Sequence, residues 1–340
     1  MKILQLGSGS MGTRRMRDLH QCPELTLGLY DEREDRRQRA QERFGVAVFS
    51  QLEDALAWEP EALVISTPPG TKGGYIQLAL DRGLHHFIEA DIWTYGAAET
   101  ERISCEKKLV SAPSASLRYL PVVKALGPLV RDHLGLLLSY QFFLSTYLPG
   151  WHPSEGKEYY ARHRNTAPAR EMIPFELNWL HPIFGSATEV AGRFEKYGAL
   201  PGETEDTWSL SMRLENGGVA QIAITMACPS SYRRGCCFGT NGMATWDIES
   251  GIITLQTAQE PTARQFDFGA IGSVIEPMYA EEITTFIDAI LGRKTWPQSY
   301  ALSQHSSATL AAAEKSSVTG QWLKVDPRVE PDPAPPLRNE

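Results

Sequence analysis

The spacing of hydrophobic positions changes part-way along the chain. Over about the first 115 residues, short apolar runs at 3–6, 25–30, 62–66, 86–88 and 109–112 alternate with longer segments rich in Arg, Glu, Gln, Ala and Leu. Runs of this length read as strands and the segments between them as helices, a succession that predicts a parallel sheet with helices on both faces. After an amphipathic stretch at 119–134 the pattern becomes strand-like at 136–144 and helical near 171–184. It then alternates with period two at 207–214, 219–226, 235–239, 243–248 and 252–256. Asn216-Gly217-Gly218 and Asn241-Gly242 are hairpin signals between these runs. Helices are expected at 277–291 and 300–317, and a short strand at 322–325.

The expected fold is therefore α/β. A doubly wound Rossmann domain occupies 1–118, and an α+β domain with a largely antiparallel open sheet occupies 119–325. Residues 326–340 are proline-rich, too poor in apolar side chains to pack, and expected to be mobile. A length of 340 residues agrees with two domains, since single cores stop growing below that size.

Charge removes one class of partner. A net charge of -8 and a pI near 5.6 argue against a nucleic-acid binder, which needs clustered cations. The short basic runs, Arg14-Arg15 and residues 33–39, read as solvated helix faces. Five scattered cysteines, Cys22, Cys105, Cys228, Cys236 and Cys237, show no metal-ligand spacing and read as thiols in a reducing compartment. The first strand begins almost at Met1, and no apolar stretch is long enough to span a bilayer, so no metal, no membrane and a cytoplasmic location are expected.

Gly7-Ser8-Gly9-Ser10-Met11-Gly12 is a G-x-G-x-x-G placed between the first strand and the first helix. Gly7 permits the turn, Gly9 lets the backbone approach a pyrophosphate, Gly12 allows helix to pack on strand, and the amides at Ser10 and Met11 attract phosphate. Asp31 ends the second strand about 20 residues on, where an acidic side chain binds a ribose hydroxyl and repels a 2′-phosphate. The expected cofactor is NAD, with NADP as the alternative because Arg33 and Arg36 follow. Thr67 and Pro68, in Ser66-Thr67-Pro68-Pro69-Gly70, and Glu89 in Glu89-Ala90-Asp91 lie just beyond strand ends and are expected to border the nicotinamide.

These motifs, with the helix start Tyr279-Ala280-Glu281-Glu282-Ile283, resemble the Gfo/Idh/MocA family of oxidoreductases over nearly the whole chain. The resemblance implies a Rossmann domain joined to an α/β domain whose open sheet mediates dimers or tetramers, here a homodimer or homotetramer. It also implies hydride transfer to or from a sugar or cyclitol, assisted by a lysine in Glu-Lys-Pro and a histidine on a helix facing the nicotinamide. In this sequence Ala90 stands at the lysine position and, if Gly185 closes the helix motif, Phe175 stands at the histidine and Asn178 at a second aspartate. Neither alanine nor phenylalanine accepts a proton. The chain resembles a divergent branch, met among nucleotide-sugar and surface-glycan genes, through residues 114–119, Trp151-His152-Pro153 and residues 170–177.

Candidates for the chemistry follow from residue type and place. Glu171 starts the helix expected to line the cleft, where the helix dipole favours its carboxylate, and shares a face with Phe175 and Asn178. His152 lies on a loop after a strand and titrates in the useful range. Arg118 and Arg170 suit a carboxylate or phosphate, Arg118 on the cofactor, or else form structural ion pairs, Arg170 with Glu171 or Glu176. Lys157, Tyr159, Tyr160 and His163 form a polar aromatic cluster suited to closing over a substrate, whereas His85, His86, His181 and Glu176 read as structural. The leading expectation is an NAD-dependent oxidoreductase acting on a small-molecule sugar, cyclitol or nucleotide sugar, with an acid/base set drawn from Glu171, His152 and Asn178. The alternatives are a lyase or hydrolase that retains NAD for transient oxidation, and a catalytically silent NAD(H)-binding regulator.

Overall fold

Residues 1–151, 168–197 and 204–333 are described in the structure, a computed structural model. The chain divides into two compact units, Met1–Ser116 with Glu276–Ser303, and Leu117–Ile275 with Gln304–Glu340. The sequence boundary after residue 118 thus falls close to the first division, but the segment from Glu276 to Ser303 belongs with the N-terminal unit.

The first unit runs β1 (Lys2–Leu6), α1 (Ser10–Leu19), β2 (Thr26–Tyr30), α2 (Glu34–Phe44), β3 (Ala47–Phe49), α3 (Leu52–Ala57), β4 (Ala62–Ile65), α4 (Lys72–Arg82), β5 (His85–Ile88), α5 (Ala97–Glu106) and β6 (Ser111–Pro113). Its six strands are parallel in the order β3-β2-β1-β4-β5-β6. Strand order reverses beside β1, and in such sheets ligands bind at the carboxyl ends of the strands at that point. Ile3, Val64 and Phe87 are buried on one face, Leu4, Leu6, Leu63, Ile65 and Ile88 on the other. Burial on both faces explains why these strands read as continuous apolar runs rather than alternating ones.

The second unit contains α6 (Pro121–His133), β7 (Leu137–Tyr147), α7 (Pro168–Phe184), β8 (Ala187–Glu195), β9 (Thr207–Leu214), β10 (Val219–Thr225), β11 (Ala227–Gly239), β12 (Gly242–Asp247), β13 (Ile252–Thr257) and β14 (Arg264–Asp267). The chain ends with α8 (Ile271–Ile290), α9 (Tyr300–Thr319) and β15 (Leu323–Lys324). From Glu276 onward α8 serves the first unit, where Ile283, Phe286 and Ile287 join the face that holds Phe87.

Nine strands form the second sheet in the order β14-β13-β12-β11-β7-β10-β9-β8-β15, antiparallel except for β7 with β10. Both expected hairpins are present, joining β9 to β10 and β11 to β12. Helix α7 packs on the sheet through aromatic rings. Trp179 lies edge-on to Phe142 at 5.6 Å, and Phe184 stacks on Tyr140 at 4.5 Å and on Trp246 at 5.4 Å. Each such ring, fully buried, stabilises by roughly 2–3 kcal/mol.

Several expectations are corrected. Strands β3, β8 and β14 escape the pattern: β3 is three residues long, β14 (RQFD) is a polar edge strand, and β8 interrupts its apolar positions with Glu189, Arg193 and Glu195. Strand β11 extends back past residue 235 through a break in register between Ala227 and Tyr232. Helix α8 starts at Ile271 and carries Pro277 inside it, whereas proline in the sequence suggested a first turn. Arg15 is fully buried instead of solvated. The tail is held as far as Pro333, because Arg170 donates to the Asp332 and Pro333 carbonyls at 2.6 and 3.4 Å.

Two buried histidines set an acid limit. His181 on α7 is 3% exposed, neither ring nitrogen has a hydrogen-bond partner, and burial, with the nearby His305, pushes its pKa down to about 3. His86 on β5 is held between the Leu84 carbonyl and the Ser111 hydroxyl, and burial lowers it to about 4. Both are neutral in the fold, while the unfolded chain binds a proton at each below about pH 6.5. Each therefore removes about 1.4 kcal/mol of stability per pH unit as pH falls below 6.5 towards its folded pKa. Replacing His181 with Leu should flatten the fall in urea midpoint between about pH 6 and 4 by one proton's worth. An unchanged slope would show that His181 takes up its proton in the folded chain.

Candidate functional site

Beyond β1 the chain makes a tight turn that only certain residues permit. Gly7 has φ +81°, a conformation L side chains rarely adopt, and a Cβ there would lie 2.8 Å from the Ser66 carbonyl oxygen. A Cβ on Gly12 would lie 2.0 Å from the Gly7 oxygen, so α1 sits directly against the turn. Gly9 caps α1 without any side-chain bond, and Ser10 and Met11 open the helix, leaving its first amides directed at whatever lies ahead of them. The Gly7 amide donates to the Tyr30 carbonyl at 2.9 Å and the Ser8 amide to the Asp31 carboxylate at 2.7 Å, so the loop is tied to the end of β2. Thr67 stands beside the loop, its Cγ2 3.4 Å from where a Gly7 Cβ would be. The structure thus brings Gly7, Gly9, Ser10, Met11, Gly12, Asp31 and Thr67 together. Pro68 is exposed in the turn after β4, where its carbonyl accepts from the Thr71 hydroxyl at 2.8 Å.

Glu89, at the end of β5, is engaged by the protein itself. Arg15 of α1 forks onto both its oxygens at 2.7 and 3.1 Å and reaches Glu282 of α8 at 2.6 Å and the Tyr279 carbonyl at 3.0 Å. Burial disfavours the charge on Arg15, yet the two carboxylates outweigh it and hold the guanidinium pKa above its ordinary value. Glu282 also accepts from the Ser114 hydroxyl at 2.9 Å, the Ala115 amide at 2.8 Å and the Ser116 hydroxyl at 2.7 Å. The Tyr279–Ile283 motif and the run at 114–116 are therefore two halves of one buried network.

Ala90 occupies the place where the resemblance implies a lysine, but an ammonium group reaches its backbone. Lys72, 2% exposed at the start of α4, donates to the Ala90 carbonyl at 2.6 Å and the Glu89 carbonyl at 3.2 Å, with the Asp91 carboxylate 3.2 Å away. Asp91 accepts in turn from the Tyr95 hydroxyl at 2.8 Å, and that hydroxyl accepts from the Gly70 amide at 2.9 Å. These bonds strap the turn after β5 to the turn after β4. Sequence reasoning missed Lys72 because a lysine opening a helix ordinarily reads as solvated.

In the second unit, Arg170 and Glu176 of α7 are held in buried ion pairs. Arg170, 1% exposed, forks onto Glu314 of α9 at 2.6 and 3.0 Å, a buried structural ion pair. Glu176, also buried, accepts from Trp179 Nε1 at 2.7 Å and pairs with Arg233 at 2.7 Å, and burial raises its pKa. Glu171 and Phe175 are half-buried on a helix whose neighbouring residues 172–174 and 176–181 are buried, and Asn178, on the same face, is 8% exposed. Arg118, in a 3-10 turn at Ser116–Tyr119, is half-buried and assigned to this second unit, and burial lowers its pKa. His152 and the cluster Lys157, Tyr159, Tyr160 and His163 lie outside the described residues. Among the described residues no group of three or more His, Cys, Asp or Glu could hold a metal ion, and no helix is long and apolar enough to cross a membrane.

Residues 1–104 match a family described as oxidoreductase, NAD-binding Rossmann fold, named GFO_IDH_MocA. The N-terminal domain belongs to the Gfo/Idh/MocA family. No curated protein matches the sequence. Among solved structures, GenD2 from gentamicin A biosynthesis, in complex with NAD, is 20% identical with a TM-score of 0.81, covering 96% of each chain. Levoglucosan dehydrogenase in complex with NADH is 15% identical with a TM-score of 0.83, covering 96% of this chain and 99% of that one. An oxidoreductase from Agrobacterium radiobacter, in complex with NAD+, L-tartaric acid and magnesium, is 13% identical with a TM-score of 0.83 over 96% and 98%. At these identities the likeness shows a shared fold over nearly the whole chain and carries no function with it.

The Arg15 network is open to measurement. Arg15→Met should lower stability by about 3–5 kcal/mol, since it leaves two carboxylates facing each other without their cation. Adding Glu282→Met should recover part of that loss, giving a non-additive pair in a double-mutant cycle of urea unfolding. A single-variant cost below about 1 kcal/mol would show that the cluster is dispensable.

Proposed function

We propose that this protein is an NAD(H)-dependent oxidoreductase acting on a sugar, cyclitol or nucleotide sugar, with a proton-transfer set that differs from the lysine and histidine of its family. The observation that carries the nucleotide half is the turn at residues 7–12, where a Cβ on Gly7 or Gly12 would strike backbone oxygen and the first amides of α1 have no side-chain cap. That cradle fits a pyrophosphate. NAD, when bound, supplies a hydride acceptor for a carbinol C–H bond. The substrate class is supported by the family's oxidoreductase description and by levoglucosan dehydrogenase among the similar folds.

Within this reading Glu171 takes the hydroxyl proton of the alcohol. Glu171 is half-buried in the first turn of α7, where the helix dipole favours its carboxylate. Asn178, which both donates and accepts, orients the same hydroxyl, and His152 relays the proton to solvent. Lys72 is a strap rather than a base, because its ammonium is engaged by two carbonyls and a carboxylate. A silent NAD(H)-binding protein is the second reading, favoured by Ala90 and Phe175 at the two family positions that would move a proton.

A panel of sugars and nucleotide sugars with NAD+, followed at the reduced-nicotinamide absorbance, separates the two readings. Turnover that falls by about 10²–10⁴-fold in Glu171→Gln, with NAD affinity retained, supports the oxidoreductase. Full activity in that variant moves the base elsewhere, and NAD binding without any absorbance change favours the silent protein.

The homo-oligomer forms through the open face of the nine-stranded sheet, where Phe143, Val219, Tyr232 and Phe238 are 39–51% exposed. Light scattering should give a dimer or tetramer mass that Phe143→Lys reduces, whereas a monomeric parent chain sinks this assignment.

A further inference from the structure

Proline has no amide to give to a helix or a sheet, so the carbonyls of a proline-rich segment must find donors elsewhere. Residues 326–333 read DPRVEPDP. Just beyond β15 the Val325 amide still donates to the Thr188 carbonyl of β8 at 2.9 Å. The chain then turns, with the Arg328 amide and guanidinium on the Asp326 carboxylate at 3.1 and 2.7 Å and the Val329 amide on the Asp326 carbonyl at 3.0 Å. Past that turn Pro331 is buried, and the Asp332 and Pro333 carbonyls accept from Arg170 at 2.6 and 3.4 Å.

Arg170 carries this contact into the first turn of α7. The same guanidinium forks onto Glu314, and α9, which bears Glu314, is packed without slack against β8. A Cβ on Gly192 of β8 would lie 2.4 Å from the Ala313 carbonyl oxygen, and the Ser316 and Ser317 hydroxyls accept from the Gly192 and Phe194 amides at 3.0 and 2.9 Å. Arg170 thus ties the start of α7 both to a fixed helix and to the C-terminal segment. A buried guanidinium that loses acceptors is left with dry N–H groups, so segment and arginine stabilise each other. The fixed φ of each proline also lowers the conformational entropy that the segment gives up on docking. Glu171 is the next residue, half-buried in the same turn.

We propose that residues 326–333 form a latch on α7: by holding Arg170 they position Glu171 for proton transfer, and lifting them loosens the helix start. The proposal rests on the role given to Glu171 above. The latch acts through backbone carbonyls and one buried proline ring, so it depends on the path of the segment rather than on its charged side chains. Arg170 is a positioning residue in this scheme, because it acts on Glu171 through the backbone of the turn they share.

Hydrogen exchange and steady-state kinetics test this on a chain ending at Arg328, on Pro331→Asp and on Pro331→Ala. In the truncated chain and in Pro331→Asp, exchange across residues 170–176 should quicken by about tenfold or more. Residues 306–317 of α9 should keep the parent rate, which also shows that the variants fold. Pro331→Ala should behave as the parent chain. With a sugar that is turned over, the truncated chain should lose about tenfold in kcat with KM changed by less than about threefold. The same truncation should cost less than about twofold when made in Glu171→Gln, since the group it positions is already gone. Parent-like exchange in both the truncated chain and Pro331→Asp overturns the latch. Quickened exchange with unchanged kcat, or an equal loss in the Glu171→Gln background, overturns its role in positioning Glu171. A parent chain without turnover sinks the oxidoreductase reading instead, and the exchange measurement then decides the latch alone.

Discussion

A single buried guanidinium organises the end of the first sheet where the nucleotide motifs lie. Arg15 has no exposed surface, and it holds Glu89 from β5 and Glu282 from α8 at hydrogen-bond distance while its plane lies over the rings of Phe87 and Tyr279. Two carboxylates and one cation leave the cluster with excess negative charge, and the hydroxyls of Ser114 and Ser116 and the Ala115 amide supply the remaining donors to Glu282. Removing Arg15 would leave two carboxylates facing each other without their cation, so the cluster depends on that one guanidinium. The helix carrying Arg15 is also the helix whose N-terminus faces the phosphate loop. The cradle and the end of β5 are consequently fixed to each other, and to the chain segment that returns from residue 276.

Around that anchor the loops at the strand ends are tied to one another by charge and backbone. Lys72 and Asp91 join the turns after β4 and β5, and the Ser8 amide joins the phosphate loop to the end of β2 through Asp31. Such bonds reduce the rearrangement needed when a ligand arrives, because the donors are already aimed. They also change the meaning of individual residues. Glu89 sits at a place suited to a nicotinamide, but its carboxylate is already engaged by Arg15. Asp31 sits where a carboxylate discriminates between nucleotides, but its charge is balanced by Arg36.

The second unit shows the same economy of charge. Of Arg170, Glu171 and Glu176, the outer pair is consumed by Glu314 and Arg233, contacts that hold α7 against α9 and against the sheet. Desolvating such pairs is costly unless their geometry is good, and the bidentate contact of Arg170 with Glu314 meets that condition. Between Arg170 and Glu176, Glu171 and Phe175 are half-buried on the same face of the helix.

The sequence by itself determined the periodicity and the turns. The parallel sheet follows from apolar runs buried on both faces, the antiparallel sheet from period two, and the hairpins from Asn-Gly pairs, all of which act over a few residues. The turn that the glycines at 7, 9 and 12 form between β1 and α1 was legible for the same reason: it is local. Only the tertiary structure decided which charged residues are available for chemistry. Arg15 with Glu282, Arg170 with Glu314 and Lys72 with Asp91 are far apart in the chain, and nothing in the spacing of a charged residue announces a partner elsewhere in the fold. Burial depends on what packs against a side chain, and that is set when distant elements meet. The short strands β3 and β14 and the polar β8 belong to the same class, since pairing with a neighbour, rather than their own composition, makes them strands.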